Sequence, residues 1–314
     1  MNNTRINEIQ QQLTAFSKQV YTKQEYFYEF NLLQEQMAKM IGIEKGRNGD
    51  RPRFGDINYK FHQMVIETKS DLDELQQVFR KQTFVAVDEL KAISSGEYGE
   101  KLARKSLDTV KRYCKVLRNI EFRNGNHDTE IDFVVLTTSK IFIVEVKNTK
   151  KDILIDEQGN YKRLAGHGEY VFDKNIGQQM NEKEYLLREV LKKAGVVDVE
   201  IASLVVFTNS GINVTNNFEF IKTCYLSQLP HIIDQETSAN EISEEKIAEI
   251  SNIILKAHFR QPYGTSINIH QLKSTFAKLL AGLEEAQAKR DRRKNCFFAK
   301  IFRRIGNAFR CLIG

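Results

Sequence analysis

The chain has 314 residues, 41% apolar and 28% charged, with 47 Lys+Arg against 41 Asp+Glu and a formal net charge of +6. That composition excludes wholesale disorder, and the length suits about two domains. No apolar run approaches the ~20 residues of a spanning helix, the first residues carry no secretory signal, and four scattered cysteines form no CxxC pair, so a cytoplasmic protein with free thiols is expected.

Apolar residues recur at alternating steps of three and four from Ile6 through Ile9, Leu13, Phe16, Val20, Phe27, Phe30 and Met37 to Ile41. This spacing predicts one long amphipathic helix, packed on its own domain or paired as a coiled coil within or between chains. The glycine-rich run from Gly46 to Asp56 reads as a turn or short linker, and a second helix is expected over roughly Phe61–Ile93. The two would pack as an antiparallel hairpin. After Ser94-Ser95-Gly96 the pattern changes, with a helix expected over Glu97–Tyr113. Strands are expected at Lys115–Phe122, Glu130–Leu136 and Ile141–Lys147. A polar, glycine-containing stretch covers Lys150–Asp173, before a helix over Ile176–Lys193. Strands at Ile201–Thr208 and Phe218–Tyr225, a short helix at Leu226–Ile233 and helices at Ser243–His258 and Ile269–Ala288 complete the series. The order is that of an α/β protein with added helices at both ends.

The stretch EIDFVVLTTSKIFIVEVKN, residues 130–148, carries the chemistry. With the hairpin turn centred on Thr138-Ser139, Asp132 falls opposite Glu145, and Lys147 lies on the same face by the period of two. The opposite face, with Ile131, Phe133, Val135, Phe142, Val144 and Val146, is a core surface. Two carboxylates about 5 Å apart repel by roughly 3 kcal/mol at an effective dielectric of 20, so compensation is required. A hard divalent cation, Mg²⁺ or Mn²⁺, is the economical candidate. The competing account is structural: a plain ion pair between Glu130 and Lys147, or Glu145 satisfied by Lys147 alone, with Asp132 capping the strand start.

Gly96-Glu97-Tyr98-Gly99-Glu100, then Ile131-Asp132, then Glu145-Val146-Lys147-Asn148, with Asn175 and Gln179 at the start of the next helix, resemble the nuclease-related domain (NERD). That family belongs to the PD-(D/E)XK, restriction-endonuclease-like superfamily. The resemblance implies a mixed central sheet flanked by helices over roughly residues 96–235. It implies metal ligation by Glu100, Asp132, Glu145 and the Val146 carbonyl, a water-positioning Lys147, and a Gln179 that orients water or touches phosphate. Glu100 could instead be a helix-surface acid paired with Arg104, and Gln179 a surface amide. Two positions depart from the family pattern: Ile176 stands where proline is usual, and Glu130 where a neutral polar residue is common.

Between residues 101 and 118, Lys101, Arg104, Lys105, Lys111, Arg112, Lys115 and Arg118 oppose a single acid, Asp108, which suits phosphate contact or a solvated helix face. His127, in the loop before Asp132, could reach the site. From Lys289 the chain is basic, and Phe298, Phe302, Ile305, Phe309 and Leu312 recur at helical steps. This tail predicts an amphipathic helix that docks on an anionic membrane surface or a protein partner, or else closes the core. The tail more than accounts for the whole net charge, so basicity is no argument for a nuclease.

The sequence therefore divides into helical residues 1–95, a NERD-like domain at 96–235, a helical region at 236–288 and a tail helix at 289–314. The expected activity is metal-dependent hydrolysis of phosphodiester bonds in nucleic acid, DNA ahead of RNA. The alternative is a catalytically inactive binding or scaffold protein that oligomerises through its N-terminal helices and docks through its tail. The expected location is cytoplasmic, peripheral to the membrane through the C-terminal helix.

Overall fold

The computed structural model describes residues 3–47, 49–124, 127–260, 262–264 and 267–312, with side chains at 124, 127 and 295–312 not described. The chain forms two compact units, one of Met1–Lys91 with Pro262–Gly314 and one of Ala92–Gln261.

The first unit is helical: α1 (Asn3–Gln12), α2 (Lys23–Met40), α3 (Phe54–Thr68), the start of α4 (Asp73–Leu107) and α8 (Ile269–Leu312). The single helix expected over Ile6–Ile41 is two. A capping box opens α2, with Glu25 N–H donating to Thr22 Oγ1 at 3.1 Å and Thr22 N–H donating to Glu25 Oε2 at 3.1 Å. Local capping outweighs the continuous apolar stripe. In the break, Phe16 takes a φ of 56° and sets its ring 5.3 Å from Tyr26 and 5.4 Å from Phe30. The Lys273 ammonium ties the same turn down by donating to the carbonyls of Leu13 and Ala15. Ile6, Ile9, Phe30, Leu33 and Met37 are all buried within this packing.

The stretch expected as one helix over Phe61–Ile93 also divides. α3 begins earlier, at Phe54, and ends where Lys69 turns left-handed at φ 51°. α4 then runs without a break through Ser94-Ser95-Gly96, against expectation. Tertiary ties hold it there: the Asn148 amide donates to Ser95 O at 2.8 Å and Ser95 Oγ at 3.0 Å. α8 is likewise continuous, so the helix at Ile269–Ala288 and the tail helix are one backbone. No glycine or proline lies between Gly282 and the tail's Gly306 to stop it.

The second unit holds a five-stranded mixed sheet ordered β1 (Cys114–Asn124), β2 (His127–Thr137), β3 (Ile141–Lys147), β7 (Ile201–Phe207) and β9 (Lys222–Tyr225). The first three strands are antiparallel, and β3, β7 and β9 run parallel. A four-stranded sheet, ordered β6 (Tyr170–Asn175), β5 (Asn160–Leu164), β4 (Ile153–Ile155) and β8 (Val214–Asn216), lies beside it in the chain. Three of its strands occupy the stretch read as polar loop, because short strands give little alternation to read. Helices cover both faces of the main sheet. α5 (Ile176–Lys193) and α7 (Glu244–Ala257) bury Met180, Leu187, Ile247, Ile250 and Ile254 against Val134, Ile143 and Val205. α4 and α6 (Leu229–Gln235) bury Ala103, Leu107, Leu229 and Ile233 against Phe133, Val135, Phe142 and Val206. Ile131, expected with that second group, packs with the first. The region read as one helical segment, 236–288, is divided between the units, with α7 joining the sheet. Among the described residues, no helix is long and apolar enough to cross a membrane.

Candidate active site

The β2–β3 hairpin has the predicted register, with Phe133 opposite Val144, Val135 opposite Phe142, and Thr137 N–H donating to Lys140 O. The ladder stops one step short of Asp132. There the Asp132 carboxylate replaces the backbone partner, and Val146 N–H donates to its Oδ2 at 2.7 Å. On the other side, the pairing with β1 is interrupted at Asn119, which holds a φ of 50° between the pairs Arg118–Phe133 and Ile120–Ile131. Asparagine tolerates this left-handed conformation better than most residues. Asp132 thus sits at a gap in the sheet on both flanks, with its side chain aimed toward β3.

Glu145 is the floor of the site, only 5% exposed. Lys147 Nζ donates to its Oε1, Lys183 Nζ donates to its Oε2, and Gln179 Nε2 reaches Oε1 at 3.3 Å. Burial alone would push the Glu145 carboxyl up, but the two ammoniums outweigh it and hold it down to about 2. Asp132 has no such pair. Desolvation, reinforced by the charges of Glu145 and Glu100, pushes its carboxyl up to about 7 against the pull of Lys183 and the Val146 N–H. Lys174, at the end of β6, is pushed down to about 8 by burial and by the nearby charge of Lys147.

Glu100, on α4, is buried and paired with Arg118 of β1 at 3.1 Å rather than with Arg104, which pairs with Asp108. Gly99 lets α4 come this close: a Cβ there would stand 2.9 Å from Asn148 Cβ. Asn148 acts as a brace, since it also accepts from Thr208 Oγ1 at 2.7 Å. Glu130 lies opposite Glu121 in the β1–β2 ladder, and Lys147 pairs with Glu145, the half of the structural account in which Glu145 is satisfied by a lysine. Asn175 caps α5 by accepting from Gln178 N–H at 2.7 Å. Ile176, in the place of proline, puts its N–H to use by donating to Gly159 O at 2.8 Å.

The basic stretch divides in use. Lys101, Arg104, Lys105 and Lys111 are exposed, whereas the Arg112 guanidinium is spent on Ser139 Oγ and the carbonyls of Asp234 and Glu236. Arg112 is thus a structural clamp, because its donors face protein acceptors. The side chains of His127 and of the tail residues Phe298, Phe302, Ile305, Phe309 and Leu312 are outside what the structure describes, though the tail backbone is helical within α8. A shallow cleft of about 760 Å³ beside Asn216, Phe218, Lys222 and Glu236 stands apart from the carboxylates, and its Glu236 is already paired with Lys140 and Lys222.

Sequence reasoning missed Lys183, only 2% exposed, and Lys174. The available signal for Lys183 was its stride: Asn175, Gln179 and Lys183 stand four apart on one face of α5. It also answers the repulsion that had pointed to a cation, since Lys147 and Lys183 together compensate Glu145. The oxygens of Asp132, Glu145 and Glu100, with the buried and unpaired Gln179 Oε1, suit a hard divalent cation in kind. Among the described residues, however, no group of three or more His, Cys, Asp or Glu is gathered as a finished metal site.

Residues 95–208 match the family model of the nuclease-related domain, NERD, and that span includes Glu100, Asp132, Glu145, Lys147 and Gln179. That stretch of the chain is similar to a nuclease-related domain. No curated protein and no solved structure matches it. The unit that contains the matched stretch extends beyond it, through β8, β9, α6 and α7.

Proposed function

We propose that the NERD domain is a divalent-metal-dependent nuclease that hydrolyses phosphodiester bonds, in DNA ahead of RNA. The observation that supports this most is the convergence of Asp132 and Glu145 at a gap in the sheet, with Lys147 and Gln179 on the same spot. Asp132 and Glu145 would hold Mg²⁺ or Mn²⁺, with Glu100 and the Val146 carbonyl as further oxygen donors. When bound, such an ion lowers the pKa of a coordinated water and neutralises phosphoryl charge. Asp132 and Lys147 are only partly buried, and substrate would approach them at the edge of the site. Lys147 would position the attacking water, and Gln179 would orient it through its free oxygen. Lys101, Arg104 and Lys105 would meet the substrate backbone. Purified protein should cleave labelled DNA with Mg²⁺ or Mn²⁺ and lose that cleavage in chelator. Cleavage unaffected by chelator would sink the metal-dependent reading.

One observation favours the second reading, a non-catalytic binding module: both oxygens of Glu145 are already held by lysines. On that reading calorimetry finds no divalent-metal binding. The tail is proposed to dock on an anionic membrane surface or a protein partner, and the N-terminal helices to support a homo-oligomer. Deleting residues 289–314 should reduce binding to anionic vesicles; unchanged binding would remove the membrane proposal.

A further inference from the structure

Lys183 has no place in the chemistry above, yet it is the most deeply buried charged group in the domain's core, 2% exposed on the inner face of α5. A lysine is almost never buried so completely unless its charge is matched. Its match is Glu145 Oε2, and its ammonium also lies within electrostatic reach of Asp132 and Glu130. Lys147 covers the other Glu145 oxygen. Glu145 therefore has no free oxygen in this structure, while Asp132 is short of positive charge. A divalent cation bound between the two carboxylates would stand beside a fixed positive charge at a low local dielectric, where repulsion is strong.

We propose that Lys183 is a built-in counter-cation that competes with a divalent metal for Glu145, so that metal enters only by displacing the ammonium from Oε2. This rests on the metal-dependent reading of the site. Lys183 acts through Glu145 and is a positioning residue. Its four-carbon stem supplies the motion: the ammonium can swing off Oε2 while α5 stays packed through Met180 and Leu187. The site then has two electrically satisfied states, one lysine-paired and one metal-bound. The lysine-paired state keeps the domain stable when metal is scarce.

The test is calorimetric titration of the full-length, chelator-treated chain with MnCl₂, comparing wild type with Lys183→Met, Lys183→Gln and Lys183→Arg. Removing the fixed charge should tighten Mn²⁺ binding at least about tenfold in Lys183→Met, while Lys183→Arg stays within about threefold of wild type. Lys183→Met should also melt at lower temperature without metal and gain more from saturating Mn²⁺ than wild type does. A purely structural lysine would lower the melting temperature without tightening metal binding. Should Lys183→Met not fold, Lys183→Gln keeps a donor for Oε2 and must show the same tightening. Wild type that binds Mn²⁺ with folded Met or Gln variants that bind no tighter overturns the role of Lys183 alone. Mn²⁺ binding by none of the four proteins overturns the metal reading and this proposal together.

Discussion

Asp132 and Glu145 face each other across the β2–β3 hairpin but hold their protons at very different pH. Glu145 is clamped by two ammoniums and stays ionised, whereas Asp132 keeps its proton up to about pH 7. An aspartate in the unfolded chain loses that proton near its ordinary value of 3.8. The native state therefore binds the extra proton between those limits, and metal-free protein should lose stability as pH rises from about 4 to about 7, by on the order of a few kcal/mol. Asp132→Asn should flatten that slope in urea melts recorded across the range. A wild-type slope that persists unchanged in the variant would show that another group carries the titration. Asp132 was legible in the sequence because an even-length turn fixes which residues face each other. Its raised carboxyl was not, since that follows from burial and from Lys183, 51 positions further along the chain, pairing with Glu145 instead.

At the level of elements, the site depends on two strands that stop pairing and one helix that comes unusually close. The left-handed Asn119 and the end of the β2–β3 ladder open the gap, and Gly99 brings α4 against Asn148, Thr208 and Val146. A methyl at Gly99 meets Asn148 Cβ at 2.9 Å, which a rigid brace cannot yield to cheaply. Gly99→Ala should cost roughly 1–3 kcal/mol in denaturant melts. An unchanged midpoint would show that α4 can shift without cost. The long, strongly patterned elements were readable: α5 spans Ile176–Lys193 as expected, and Ser243 caps α7. The breaks were less so. Thr22 and Glu25 carry a capping box in plain view, but the stripe running through Leu13, Phe16 and Val20 masked it. In β4, β5 and β6, strand pairing organises a segment whose own residues alternate too weakly to announce it.

For the whole molecule, charge and chemistry are separated along the chain. The basic excess lies in the last part of α8, while the NERD-like region keeps positive charge close to its carboxylates, as Arg118 on Glu100 and Lys147 and Lys183 on Glu145. On the proposed function, Asp132 and Glu145 would act as one metal-holding, catalytic unit. The most direct test is the cleavage rate of labelled DNA at saturating Mn²⁺ by wild type, Asp132→Ala, Glu145→Ala and the double variant. Groups that act as a unit are non-additive, so each single change should lower the rate by at least about 10³-fold and the double change by little more. Robust cleavage by the double variant would contradict the account.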